Sequence, residues 1–338
     1  MFDSFAFAIV AFLFCALVIF FAGRKLSYYG SQIAEITGMG RAWTGLILLS
    51  LVTTLPELVS GISASAIVQS ADLAVGNVIG SCAFNLSILV LMDWIVPKNK
   101  PLLGHASQSH ILAAAIGIVM ITAVGIGIYF PGEIEITHWI GLTSISFLLM
   151  YLLAMRIIFL YNRHQQSSAA QNDKQEETIL ISKKKAFTGY AVYAILIIAA
   201  ALFLPQFANR IAEETGLGKS FVGTLFLALS TSLPEIAISI SAVRMGATDL
   251  SIGNILGSNI FNIVILFIDD LFYIKGHLLK DVSEIQMISI FSVIAMSATA
   301  IIGLIYKAGT KRFVIAWDTM IIFLIYILNL ILLFFYAN

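Results

Sequence analysis

Apolar residues fill this chain in blocks of about twenty, each closed by a short cluster of charged or turn-forming residues. A helix needs ~20 mostly apolar residues to cross the hydrocarbon core of a bilayer. Ten blocks reach that length, at approximately 4–22, 43–68, 73–96, 108–130, 138–160, 187–206, 220–243, 249–273, 285–306 and 314–336. The pattern predicts an all-α membrane protein of ten transmembrane helices. One long polar interval, 163–185 (RHQQSSAAQNDKQEETILISKKK), is too polar to bury a core and predicts a flexible linker between residues 1–162 and 186–338. No segment is large enough for a separate soluble regulatory domain. The opening MFDSFAFAIVAFLFCALVIFFAG lacks a basic n-region and a small-residue cleavage site, which predicts a retained first span.

The two halves repeat one another. Residues 33–57 (IAEITGMGRAWTGLILLSLVTTLPE) and 211–235 (IAEETGLGKSFVGTLFLALSTSLPE) agree at 13 of 25 positions at an offset of 178. The match resumes at an offset of 177, with DLAVGNVIGSCAFNLSIL (72–89) against DLSIGNILGSNIFNIVIL (249–266). Five spans per half is an odd number, so the second half is expected to enter the membrane inverted. Inverted repeats are a transporter architecture, with substrate bound near the midplane where the halves meet.

Composition agrees: the 338 residues are 59% hydrophobic and 11% charged, against roughly 45–50% and 25% in soluble domains. Nineteen basic and nineteen acidic residues leave no net charge and no argument for a nucleic-acid partner. Cytoplasmic loops carry the excess of Lys and Arg. Of the 19 basic residues, 15 follow odd-numbered spans and only Arg210, Lys219, Lys275 and Lys280 follow even ones. Both termini are therefore expected outside a multi-pass protein of the plasma or inner membrane, with the linker in the cytoplasm. Cys15 and Cys82 lie in different apolar blocks and suggest neither a disulfide nor a thiolate metal site.

The chemistry sits where polar residues interrupt the blocks. Glu57 follows Pro56 inside the second span, and Glu235 follows Pro234 inside the seventh. An ionised carboxylate at that depth costs roughly 2.5–3.5 kcal/mol on insertion scales. No Lys or Arg lies at comparable depth, so cations or protons must neutralise the pair. Each proline removes a backbone donor and breaks its helix, and bare carbonyls are expected near Ser50 and Ala228. Thr53, Thr54, Thr231 and Ser232 add hydroxyls. Ser81 with Asn85, and Ser258 with Asn262, stand one turn apart and share a face. Gly76, Gly80, Gly253 and Gly257 should allow close helix approach. The donors are hard oxygens without thiolate or imidazole, which suits Ca²⁺ or Na⁺ better than zinc or copper. Some of these hydroxyls and amides serve elsewhere as interhelical glue. Asp72 and Asp249 are expected as N-caps, and Asp93, Asp269 and Asp270, at helix ends, as interfacial residues. The abundant Phe and Met are lipid-facing bulk, and no cofactor motif is present.

At T-T-L-P-E (53–57) with G-N-V-I-G-S (76–81), and T-S-L-P-E (231–235) with G-N-I-L-G-S-N (253–259), the chain resembles the cation/calcium antiporter superfamily. Within it, bacterial and archaeal sodium/calcium exchangers are most similar. The resemblance implies that Glu57 and Glu235 coordinate the ions, with Thr53, Thr54, Ser81, Asn85, Thr231, Ser232, Ser258 and Asn262 completing the site. It also implies that the first and sixth spans slide as gates. The chain departs from the family pattern at Val52 and Ser230, where Gly is frequent, and at Cys82, where Asn is usual. Some members carry aspartate where this chain has Asn262. The acidic motif of the proton/calcium branch is missing, which favours sodium coupling.

The expected activity is secondary antiport of Ca²⁺ against Na⁺ by alternating access, in a chain that functions as a monomer without a cofactor. A proton-coupled exchanger is the nearest alternative and a cation channel a second. There is no H-E-x-x-H motif or catalytic aspartate pair to indicate an intramembrane enzyme.

Overall fold

A computed structural model of the chain describes residues 5–130, 141–169, 181–215 and 229–336. The described residues form helices α1 (Phe5–Thr37), α2 (Arg41–Thr53), α3 (Leu55–Val68), α4 (Ala71–Ile95), α5 (Ser109–Tyr129) and α6 (Leu142–Ala169). There follow α7 (Lys183–Glu214), α8 (Leu233–Arg244), α9 (Thr248–Phe272), α10 (Gln286–Tyr306) and α11 (Trp317–Tyr336). Among the described residues eight helices are long and apolar enough to cross a membrane, or nine if α2 and α3, bent by 41° at their junction, count as one span. Of the predicted seventh span, residues 220–228 fall outside the described residues and α8 is the remainder. Helix α6 runs to Ala169 and α7 starts at Lys183, so both ends of the predicted linker are helical; residues 170–180 are not described.

The largest core joins α4, α5, α9 and α10 through residues such as Ile79, Leu86, Ile121, Val124, Ile260 and Met296. Helices α1 and α7 stand beside it as a pair and exceed their predicted lengths. At ~1.5 Å per residue, 33 and 32 residues reach about 50 Å, beyond the ~30 Å hydrocarbon core. Their shared seam includes Ile19, Leu204 and Ala201, and Tyr29 stacks on Tyr193 with ring centroids 5.8 Å apart. The pair packs on α2, α8 and α9 through an apolar cluster that includes Leu26, Ile197, Leu49, Ile238 and Leu250, and bonds them at few polar points: Ser27 Oγ donates to the Ile238 carbonyl at 3.0 Å, and Tyr190 to the Leu48 carbonyl at 2.5 Å.

Glycine sets how closely α2 meets α9. A Cβ on Gly253 or Gly257 would run into the backbone carbonyls of Ala42 and Leu46, and one on Gly45 into that of Leu250. Gly76 lies against the Gln286 side chain, whereas Gly80 has open space where a Cβ would stand and gives no close approach.

Five aspartates expected at helix ends do more than the sequence suggests. The cap of α4 is Ser70, which accepts from the Leu73 N–H; Asp72 instead accepts from the Ser283 N–H at 2.8 Å. Asp249 likewise accepts from the Ser107 N–H at 2.7 Å and bonds His110 Nε2 at 2.9 Å. Each half thus holds a loop of the other through equivalent residues. Asp93, Asp269 and Asp270 are buried, not interfacial, because the loops fold back over the helix ends. Asp93 accepts from the N–H groups of Leu102 and Ala316 and the Thr319 hydroxyl, and pairs with buried Lys311 at 3.1 Å. Its equivalent Asp270 accepts from the Leu278 N–H at 2.7 Å.

Two expectations follow. Gly257→Ala must push α2 from α9, at the ~1–3 kcal/mol typical of overpacking, whereas Gly80→Ala should be tolerated; thermal unfolding in detergent compares them, and equal midpoints would contradict the packing. Lys311→Met leaves the Asp93 charge buried without its ion partner, a loss of about 3–5 kcal/mol, and adding Asp93→Asn should recover part of it. Unfolding at the wild-type temperature would mean the pair contributes nothing.

Candidate cation site

Both helix breaks fall at the residue before Leu-Pro-Glu. Thr54 adopts φ −85°, ψ 0° and Ser232 φ −89°, ψ 9°, the sparsely populated region between helix and strand. Pro then opens the new helix, where its missing N–H is no loss. Glu57 and Glu235 thereby sit in the first turns of α3 and α8, where the positive end of the helix dipole favours a carboxylate. Glu57 is 1% exposed and Glu235 fully buried.

The two halves interlock around them. Ser232 Oγ approaches Glu57 Oε1 at 3.4 Å. Thr53 Oγ1 lies 3.2 Å from Ser258 Oγ and 3.4 Å from Asn254 Oδ1. Asn85 donates from Nδ2 to Asn259 Oδ1 at 3.1 Å, Asn259 donates to the Cys82 carbonyl at 3.2 Å, and Asn262 Nδ2 donates to Cys82 Sγ at 3.6 Å. Both amides of the Asn85–Asn262 pair thus spend their N–H groups on protein. What they leave is oxygen. Glu57 Oε2, both Glu235 oxygens, Asn85 Oδ1 and Asn262 Oδ1 are buried without a hydrogen-bond partner.

The remaining expected ligands divide. Thr53, Thr231, Ser232, Ser81 and Ser258 are buried at or beside the breaks. Thr54 turns its hydroxyl back onto the Ser50 carbonyl. That carbonyl, expected bare, also accepts from the Thr54 N–H at 3.0 Å and the Thr53 hydroxyl at 3.2 Å. The reason lies in the register. Helical bonds run four residues back, so Pro56 deprives Val52 of its donor, not Ser50. Ala228 lies outside the described residues. Among the described residues no three His, Cys, Asp or Glu side chains converge, so a cation here would depend on neutral oxygens to complete its shell.

Three asparagines went unremarked in the motif reading. Asn77 donates from Nδ2 to the Glu57 carbonyl at 3.1 Å, Asn254 donates to Ser239 Oγ at 3.2 Å, and Asn259 joins the halves. The identity of Asn77 with Asn254 across the repeat was the available signal. Cys82 is buried at 1% exposure, its thiol facing the Asn259 carbonyl.

Comparison with known proteins places the chain by fold and family. The sodium-calcium exchanger NCX_Mj superposes with a TM-score of 0.73 over 97% of this chain and 99% of its own, at 18% identity. The sodium/calcium exchanger MaX1 of Methanosarcina acetivorans is 26% identical, covering 96% of this chain and 99% of the relative. The inner membrane protein YrbG of Escherichia coli is 25% identical, covering 74% of this chain and 75% of the relative. The model of the sodium/calcium exchanger protein family matches residues 7–159 and 185–335, the two stretches that flank the polar interval. With that match spanning nearly the whole chain, this multi-pass membrane protein belongs to the sodium/calcium exchanger family, a family of ion transporters and not of enzymes.

Proposed function

We propose that the chain exchanges Ca²⁺ for Na⁺ by alternating access at a central site built on Glu57 and Glu235. The observation that carries this reading is the set of five buried, unpartnered oxygens on Glu57, Glu235, Asn85 and Asn262. Buried polar atoms without partners are rare, and each is expensive. Here they fall on two repeat-equivalent pairs and include both carboxylates of the site. Among the described residues no basic side chain pairs with them, so the natural complement is a cation. Two carboxylates balance one Ca²⁺, with amide and hydroxyl oxygens filling its six to eight positions. The hydroxyls of Thr53, Thr231, Ser232, Ser81 and Ser258 are the additional donors, while the Ser50 carbonyl is already occupied.

Sodium ions would compensate the same carboxylates through the same oxygens. Binding is then mutually exclusive, and crossing with the site empty and charged is costly. That exclusion yields exchange instead of leak. Ten spans in two inverted five-helix halves, 1–162 and 186–338, would present one site to each side in turn. The α1–α7 pair, joined to the core at few polar points, is suited to slide as the gate. On the basic-residue asymmetry both termini face outside, and each chain holds both halves and so works as a monomer.

Tags test the orientation. One at either terminus should be reached from outside and one near Asn172 only from the cytoplasm; a cytoplasmic N-terminus would overturn it.

The site is tested by charge removal. At an effective dielectric of ~20, a carboxylate ~2.5 Å from a divalent ion contributes on the order of 10 kcal/mol before desolvation. A tenth of that surviving is already a ~5-fold loss of affinity. Glu57→Gln and Glu235→Gln should each abolish ⁴⁵Ca²⁺ flux in proteoliposomes while the protein still folds, and Ca²⁺ should no longer raise their melting temperature. Asn85→Ala and Asn262→Ala should only weaken transport. Near-normal exchange in either Gln variant would move the site elsewhere. Uptake driven by a pH gradient but not by a Na⁺ gradient would replace sodium with protons.

A further inference from the structure

One buried carboxylate lies off the central site. Helices α2–α3 and α9 run parallel: Ala42 meets Gly253, Leu46 meets Gly257, and further along Gly61 meets Asp269. The Asp269 carboxylate rests where a side chain on Gly61 would stand; a Cβ there would collide with both of its oxygens. Asp269 is fully buried, and neither oxygen has a hydrogen-bond partner. Its neighbour Asp270 accepts from the Leu278 N–H, which leaves that charge beside Asp269 without relieving it.

Glu57, Gly61 and Ser65 recur every four residues and so share one face of α3. The Ser65 hydroxyl, also fully buried, is a further oxygen without a partner. It belongs to the π-helical turn Ala64–Val68, a local widening that recurs at functional sites. From the free oxygen of Glu57, a line of unpartnered oxygens therefore continues past Gly61 toward the ends of α3 and α9. On the orientation proposed above this is the outward half.

The other half has no counterpart. The repeat pairs Asp269 with Met92 and Gly61 with Ser239. There Ser251 donates to the Ser239 carbonyl at 2.8 Å and reaches Met92 Sδ at 3.5 Å, and Ser239 Oγ accepts from Asn254. That position is neutral and satisfied. The carboxylate is a property of one half alone.

We propose that Asp269 and Ser65, with Gly61 as the clearance that admits the carboxylate, form a monovalent-cation site of the Na⁺ class, one helical turn beyond Glu57 on the path to the central site. Its place on a path rests on the reading of Glu57 as an ion ligand. A lone carboxylate in this environment needs a countercharge, and among the described residues no basic side chain pairs with it. With Asp270 held by the Leu278 N–H, the donors left for an ion are one carboxylate and one hydroxyl, short of the charge and the ligand number that Ca²⁺ takes. A single positive charge balances it.

The test uses the full chain in detergent with the central site disabled. In the Glu57→Gln/Glu235→Gln double variant, NaCl should still raise the melting temperature by a few degrees over choline chloride of equal ionic strength. Adding Asp269→Asn should remove that shift. Adding Gly61→Ala instead should also remove it, because the new methyl displaces the carboxylate without neutralising it. A Na⁺ shift that is missing from the double variant, or that survives Asp269→Asn, overturns the proposal. So does a shift reproduced in choline by lowering the pH from 8 to 6 with no further effect of Na⁺, since a proton would then be the occupant. Stabilisation of the double variant by Ca²⁺ that survives Asp269→Asn would instead tell against the two-glutamate reading, and Ca²⁺ stabilisation lost with Asp269→Asn would overturn the monovalent class.

Discussion

Two carboxylates buried within an apolar bundle, with no basic side chain paired to them among the described residues, are the constraint to which the rest of this structure answers. A soluble protein would solvate or pair such groups; within a membrane neither is available at low cost. The helix breaks put Glu57 and Glu235 in the first turns of α3 and α8, where backbone N–H groups and the helix dipole favour negative charge. The asparagines of the neighbouring helices spend their N–H groups on the Cys82–Asn259 contact and leave carbonyl oxygen free. Had they offered N–H instead, the protein itself would have satisfied the carboxylate oxygens by hydrogen bonds. Leaving oxygen unpartnered is costly for stability alone, and it supports the cation site proposed above.

Keeping a broken helix in place within a membrane requires that its loose backbone be held by neighbours. The Ser50 carbonyl is covered by Thr53 and Thr54, and the π-helical turn Gly45–Leu49 presents the Leu48 carbonyl to Tyr190 of α7. Gly253 and Gly257 bring α9 close enough for its polar face to meet Thr53. Serine and threonine here can serve either as the ligands proposed above or as closure of the broken helix, and the sequence motif does not separate the two. That is why Thr54 and Ser50 look like ligands in the sequence and prove to be bonded to each other.

Hydropathy and the internal repeat made the helices and the residues around both breaks legible, because both depend on local order along the chain. What the sequence hid depends on loops. Asp72 and Asp249 stand where N-caps stand, and only the fold brings Ser283 and Ser107 to them. Asp93 and Asp270 lie at the ends of apolar blocks, where interfacial residues are expected; loops returning over the helix ends bury them and supply backbone donors. Lys311, counted as a cytoplasmic charge, is the ion partner of Asp93. The extra length of α1 and α7 was missed for a related reason: their ends leave the apolar window while remaining helical.

The repeat also indicates where the halves have been allowed to diverge. Glu57 and Glu235, Thr53 and Thr231, Asn85 and Asn262 are kept, so whichever half faces solution would offer similar donors. Cys82 against Asn259, Ser50 against Ala228, and Met92 against Asp269 are not. An exchanger whose halves were chemically identical would present the same approach to ions from both sides, although the two solutions differ in composition. Differences at positions flanking the carboxylates would leave the central charge balance proposed above untouched while making the two approaches unlike. Met92 and Asp269 are the most unequal of these pairs, one a neutral thioether touched by Ser251 and the other a buried carboxyl group without a hydrogen-bond partner. On the two-glutamate reading proposed above, the halves share the carboxylates and the amides beside them and differ most along the approaches.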